Sequence, residues 1–321
     1  MRAALSALLL APLLAASDVP RVTIDEGSTV TKTFVNELRL ELVEIGIELD
    51  GEEQDPPSDG LPEVTIADDE RIVFVDEYVS VADGRATELI RTFETLEDTS
   101  TQAQRFPDGE GSEQSSEGES ELEGKSVVFE WDDDDESYDV SFAEDEDGDD
   151  DLLEGLEGDA DFLFLLQPED DVEVGDSWSV DGELFTRISS PGGNLKILSE
   201  GDDEEFSEQF ADGLVGDLEM TLESIEDGVA VVSIEGQVDT EIEVDVETPD
   251  APEGFEASQT FSFSFDIEGK LEWDLESGVA SSMELDAEVE MELLSTNSMG
   301  ETSLVQRQTY EGTFESRVTF E

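Results

Sequence analysis

Carboxylates dominate the chemistry open to this chain. It carries 90 Asp and Glu against 14 Lys and Arg, with neither Cys nor His. A Ser-His-Asp triad, a Cys nucleophile and an ordinary zinc site are therefore excluded. What remains is acid–base work by paired carboxylates and the binding of hard cations by oxygen ligands. The segment Asp145-Glu146-Asp147-Gly148-Asp149, with Glu154 beyond it, comes nearest to a motif. Set against the calcium loop of an EF-hand, Gly148 takes the invariant glycine position. Asp145, Asp147 and Asp149 take ligand positions, and Glu154 takes the closing bidentate position. The alignment breaks at the first ligand position, which holds Ala143, and where Asp150 replaces the usual apolar residue. Calcium is thus the one cofactor the sequence points to, against the plainer reading of a solvated acidic loop. The run Asp132 to Glu136 reads as solvated for the same reason. Pairs of acids are inevitable at this density, so a carboxylate-based hydrolase has no named residues. With 3 Trp and 3 Tyr, aromatic platforms for sugars are also scarce. The expectation is a protein that is not an enzyme.

The second candidate surface is apolar. From Phe261, apolar side chains fall on alternate positions: Phe261, Phe263, Phe265, Ile267, then Leu271, Trp273 and Leu275. Ser, Asp, Glu and Lys occupy the positions between. This period of two marks a strand with one buried face. Ser277-Gly278 supplies a turn, and the next strand places Met283, Leu285, Ala287, Val289, Met291 and Leu293 on one face against a Glu and Asp face. Phe261, Phe263, Phe265, Met283, Leu285, Val289 and Met291 would line an apolar cavity if the sheet curls, or fill an ordinary core if it does not.

Other segments carry the same pattern. Leu218, Met220 and Leu222 begin one strand, Asp227-Gly228 turns, and Val232, Ile234, Val238, Ile242, Val244 and Val246 continue. Tyr310, Phe314, Val318 and Phe320 share a face at the C-terminus. Leu38, Leu40 and Leu42 have one parity, and Val43, Ile45, Ile47 and Leu49 the other, which predicts a β-bulge at Leu42-Val43. Arg71 to Val81 is apolar on both faces, as a central strand would be. Asp83-Gly84 then turns toward Leu89 and Phe93. Pro107 to Gly124 is Gly, Ser and Glu with little to bury and reads as a disordered loop. A hairpin follows, Val127 to Trp131 and Tyr138 to Phe142. Short helices are expected at 151–156 and 204–210. The fold class is all-β, a long antiparallel meander forming a strongly curved sheet or half-open barrel.

Four segments follow from this reading. Residues 1–17 have a basic Arg2, an apolar run and small residues before Asp18, the makeup of a secretory signal peptide. N-terminal strands occupy 18–105, the acidic loop 106–124, and the hairpin and C-terminal meander 125–321. The strands of 18–105 and 125–321 form one composite domain. Export to the periplasm or beyond follows from the leader. A net charge of −76 argues against nucleic-acid partners. No apolar stretch is long enough for an integral span by helix. A membrane barrel is disfavoured by the few Tyr and Trp and the Glu-dense faces. The function expected is binding of an apolar ligand or an envelope protein, or else an acidic calcium-binding or structural role at the surface.

Val174-Gly175-Asp176-Ser177-Trp178 after Pro168, with Asp76-Glu77-Tyr78, Asp83-Gly84-Arg85 and Gly269-Lys270-Leu271 through Asp274 to Ser277-Gly278, resembles exported, uncharacterised β-rich proteins of marine, planctomycete-like bacteria. That resemblance implies export and a β-rich fold. The long-strand meander is also similar in architecture to half-open barrel carriers of the LolA type, which implies no site residues.

Self-repulsion among so many carboxylates opposes compaction and is screened by salt. The thermal midpoint is expected to rise by several degrees from low to molar salt, where the Debye length falls to about 3 Å. A melt unchanged by salt would contradict this.

Overall fold

The computed structural model describes residues 19–54, 60–82, 85–135, 137–144, 146–158, 165–168, 170–197, 209–210, 213–245, 255–299 and 302–321. The leader expected at 1–17, the Asp83-Gly84 turn, Val246, Glu136, Asp145 and most of the helix expected at 204–210 lie outside them. The strands are β1 (Thr29–Leu49), β2 (Glu52–Glu53), β3 (Glu63–Ala82), β4 (Arg85–Arg105), β5 (Gly111–Gly118), β6 (Ser126–Asp132), β7 (Ser137–Phe142), β8 (Ser177–Asp181), β9 (Val215–Glu226), β10 (Val229–Asp245), β11 (Phe255–Asp274), β12 (Val279–Met299) and β13 (Thr302–Phe320). Helix α1 spans Glu183–Ser189, residues 165–166 and 209–210 are also helical, and a 3-10 turn spans Asp150–Leu153, shorter than the helix expected at 151–156.

All strands join one antiparallel sheet of 13, with the path β7-β6-β4-β3-β1-β13-β12-β11-β10-β9-β8. The first and last long strands pair, so both halves of the chain share a single sheet. The path does not return on itself, and the result is a curved, half-open barrel. Parity sets the two faces. Phe265, Ile267, Leu271 and Trp273 of β11 and Met283, Leu285, Val289 and Met291 of β12 are buried on the concave side. Asp266, Glu268, Glu284, Asp286, Glu288 and Glu290 project from the convex side. The expected bulge is present: the β1–β13 register shifts between Leu42 and Glu44. Curvature also needs small inward residues. Gly269 and Gly312 lie at inward parity, and a Cβ at Gly312 would run into the Arg39 carbonyl of the neighbouring strand.

One expectation is corrected. The stretch 107–124 is not a loop throughout, because Gly111–Gly118 forms β5 and pairs along β4 from Asp98↔Gly118 to Arg105↔Gly111. A strand ladder satisfies the backbone whatever its side chains are. Here a Thr101–Ser115 hydroxyl pair at 3.1 Å supports it, and Leu122, fully buried, anchors its far end.

The concave face is closed by 155–158, α1 and 190–197. Part of their attachment is ionic. Asp76 of β3 receives Nε and Nη2 of Arg91 at 2.8 and 2.9 Å, and Lys32 Nζ lies 2.8 Å from the same carboxylate. All three side chains are fully buried. Burial by itself would raise the Asp76 pKa, but the Arg91 and Lys32 charges outweigh it and hold the carboxyl below its ordinary range. The guanidinium also packs over Phe74, 4.4 Å from its centroid, and donates to the Glu157 carbonyl at 3.1 Å. The Glu157 carboxylate in turn pairs with Arg187 of α1. Gly192, at φ +79°, lets the covering loop sit against this cluster, since a Cβ there would lie 3.0 Å from both Arg91 Nη1 and Phe74 Cζ.

Asp76→Asn leaves two buried cations without their counter-charge and is expected to cost about 3–5 kcal/mol. Lys32→Met leaves the Asp76–Arg91 pair neutral and is expected to cost less than half as much. Urea midpoints in high salt measure both, and equal losses would show that the charge balance is not what matters.

Candidate functional site

Between α1 and the concave face lies a half-open cavity of ≈ 250 Å³. Its two ends differ in chemistry. At one end are Phe185, Phe210, Phe263, Phe265 and Phe314; at the other are Asn36, Asp68, Glu70 and Asp98, with Leu38, Ser189 and Ser190 between. Register explains the split. Asp98, Glu70, Asn36 and Ser316 lie directly opposite one another across β4, β3, β1 and β13. One step along, Asp68, Leu38, Phe314 and Ala287 form the next inward row. The cavity straddles the place where acidic positions of β3 and β4 give way to aromatic ones of β11 and β13. Larger depressions of ≈ 510 and ≈ 770 Å³ lie at the β4–β5 end and on the convex face. Neither brings acidic and aromatic side chains together in this way.

The aromatic end is a set of ring–ring contacts. Phe185 of α1 sits 4.7 Å from Phe265 and 5.3 Å from Phe314, and Phe210 meets Phe263 edge-on at 5.5 Å. Such pairs contribute about 0.5–1.5 kcal/mol each beyond area burial. A helix of seven residues is marginal on its own, so α1 is held by this packing and by its end contact. That contact is Asn36 Nδ2, which donates to the Ile188 carbonyl at 3.1 Å.

The same Nδ2 donates to Glu70 Oε2 at 2.8 Å. Burial pushes the Glu70 carboxyl up to about 8. The Asn36 hydrogen bond opposes the shift, while the charges of Asp98 and Asp68 add to it. At neutral pH Glu70 is therefore largely protonated, a neutral acid that can donate as well as accept. Asn36 is 5 % exposed, and its Oδ1 has no hydrogen-bond partner among the described residues. The same is true of the Ser316 hydroxyl opposite it.

Of the apolar residues expected to line a cavity, the structure brings Phe263 and Phe265 to it. Met283, Leu285, Val289 and Met291 are buried elsewhere in the core, and Phe261 is partly buried. The calcium candidates lie apart. Asp147 and Asp149 are exposed after β7, Asp149 caps the 3-10 turn by accepting from the Asp151 amide, and Glu154 is exposed at its end. A strand precedes this loop and a 3-10 turn follows, where an EF-hand needs two helices. Asp145 is outside the described residues. Among the described residues no group of three acids is placed to hold a metal ion. The sequence reading missed Asn36, Asp68, Glu70 and Asp98. A signal existed, because Asp68 and Glu70 share the inward parity of Ile72, Phe74 and Tyr78. In a chain this acidic, two acids of inward parity stand out only once the facing strands are known.

No protein-family model matches the chain, and no curated protein is similar to it. Among solved structures, the Type IV competence pilus secretin PilQ of V. cholerae aligns over 91% of this chain at 8% identity with a TM-score of 0.16. This chain spans 59% of that secretin chain's length. A likeness at that score carries no argument.

A carboxyl with a raised folded-state pKa stabilises the fold in its neutral form. That contribution is present below the unfolded value of 4.5 and is lost as pH rises toward 8. Glu70→Gln stays neutral. It is expected to match the parent below that window and to exceed it in stability above about pH 8, by about 1–4 kcal/mol. Parallel denaturant melts across pH measure the difference. A constant offset would mean that the Glu70 carboxyl is not desolvated in the folded protein.

Proposed function

We propose that this is an exported, non-enzymatic binding protein that holds a small apolar ligand against the concave face of its half-open sheet. The observation that carries this is the ≈ 250 Å³ cavity with an aromatic end, roofed by a short helix. The space lies just below the about 300–1,000 Å³ of typical ligand pockets, so a small ring or a short chain fits and a whole lipid does not. The composition of residues 1–17 supports export. Among the described residues, no helix is long and apolar enough to cross a membrane.

A second reading draws on Glu70. An acid with a pKa near neutrality beside Asp98 has the makeup of a carboxylate-based hydrolase. Against it, Glu70 and Asp98 are neighbours on one wall, whereas glycosidic cleavage needs carboxyls on either side of the scissile bond. Hydrolysis of nitrophenyl glycosides or esters, abolished by Glu70→Gln, would favour this reading.

Toluene titrated calorimetrically into the protein in molar salt is expected to bind one site per chain with a Kd on the order of 0.1–1 mM. Leu38→Trp fills the middle of the cavity and is expected to remove that binding while the β-sheet circular dichroism persists. Ser189→Leu narrows the cavity from the helix side and should weaken it. Absence of toluene binding in the parent would overturn the proposal.

A further inference from the structure

The polar end of the cavity contains a hydrogen-bonding mismatch. Asn36 lines the cavity and is 5 % exposed, yet its Oδ1 has no hydrogen-bond partner among the described residues. Its amide cannot turn over to cure this. Nδ2 donates to Glu70 Oε2 at 2.8 Å and to the Ile188 carbonyl at 3.1 Å, and a flipped amide would set its oxygen against that carbonyl. A buried acceptor left without a donor costs free energy that a donor entering the cavity would recover. Glu70 stands on the same wall. Burial keeps it largely neutral near pH 7, so it can give a hydrogen bond as well as take one. Ser189 and Ser190 add hydroxyls at the helix side. Phenylalanine rings form the opposite end.

We propose that the cavity takes a small aromatic alcohol, with its hydroxyl between Asn36 Oδ1 and Glu70 and its ring against Phe263, Phe265 and Phe314. This rests on reading the cavity as a binding site. A hydroxyl carries one donor and two acceptor lone pairs. Its proton meets Asn36 Oδ1, and its oxygen accepts from the neutral acid of Glu70. When Glu70 ionises, the hydroxyl turns and donates to the carboxylate, so one ligand suits both states. An ether brings an acceptor without a donor and leaves Asn36 Oδ1 unmet, and a hydrocarbon does the same. Asp68 and Asp98 are engaged in interactions of their own, and a neutral ligand requires no charge from them. Size agrees. The ≈ 250 Å³ holds roughly eight water-sized groups at about 30 Å³ each, the scale of one ring and its hydroxyl. The rings of Phe265 and Phe314, 6.3 Å apart and edge-on to each other, offer a further ring both a face and an edge.

Isothermal titration of the full chain in molar salt at neutral pH tests this, with phenol, anisole, toluene and benzylamine as probes. Phenol and anisole share a ring and an oxygen, and only phenol carries the donor. Phenol is expected to bind one site per chain about tenfold tighter than anisole or toluene. Asn36→Leu removes the unmet acceptor. It should lower the ratio of phenol to toluene affinity by about tenfold while toluene still binds. Glu288→Gln, on the convex face, should leave that ratio unchanged. If Asn36→Leu loses its β-sheet circular dichroism, the comparison of phenol with anisole in the parent decides. Equal binding of phenol, anisole and toluene overturns the alcohol while the apolar-site reading stands. An unchanged ratio in folded Asn36→Leu does the same. Benzylamine binding tighter than phenol would show selection of a cation and would also overturn it. If no probe binds, both readings fall.

Discussion

The structure depends on one buried ionic cluster. Lys32, Asp76 and Arg91 place two cations and one anion in the core of a chain whose formal charge is −76. Such a group adds little net stability against an apolar replacement, because desolvation offsets most of the attraction. What it supplies is position. Arg91 is held in a fixed geometry by the two Asp76 oxygens, the Glu157 carbonyl and the Phe74 ring. Glu157 then reaches Arg187 on α1. The chain of contacts runs from the middle of the sheet to the helix that roofs the cavity. The segments 155–158 and 190–197 are further tied to each other by a Leu156–Gly193 bridge and to the rest of the protein by the Ser120 hydroxyl, which donates to the Leu195 carbonyl at 2.6 Å.

The two faces of the sheet bend it the same way. On the convex side, Asp69, Glu37, Glu315, Asp286, Glu268, Glu235 and Glu219 stand directly opposite one another in successive strands from β3 to β9. Neighbouring strands lie about 4.8 Å apart, so these carboxylates repel at short range, relieved where Arg39 pairs with Asp69 and Glu37 and Arg317 with Glu315. Curving away from that face separates them. On the concave side, apolar burial contributes about 1.5–3 kcal/mol for each large side chain removed from water, and curvature brings those chains together. Glycines at inward parity, such as Gly269 and Gly312, admit the close approach that results. The acidic surface is thus part of the shape as well as of solvation.

The elements were legible wherever one face is apolar without interruption. Alternation over Phe261 to Leu293 gave β11 and β12 with their turn, and the parity slip after Leu42 located the bulge that the β1–β13 register shows. The reading failed at Gly111–Gly118, because an edge strand held by backbone pairing and hydroxyl contacts leaves no hydrophobic period. It failed differently at the candidate site. Composition placed all the acids of the chain in one class, while Glu70, Asp68 and Asp98 differ from the rest only through what faces them. Ile188 and Phe185 come from more than a hundred residues away in the chain to close over Asn36 and Glu70.

The sequence by itself determined the fold class, the direction each long strand faces and the exclusion of Cys and His chemistry, because periodicity and composition are local properties. Only the tertiary structure decided which acids are buried, that the apolar face is mostly a filled core, and that a polar-ended cavity remains beneath α1. Those depend on register between strands and on where 155–158, α1 and 190–197 land, and both are set by contacts between residues far apart in the chain. The pKa of Glu70 shows the difference: the same carboxyl is ordinary in an extended chain and is pushed up to about 8 once desolvation and the charges of Asp98 and Asp68 act on it.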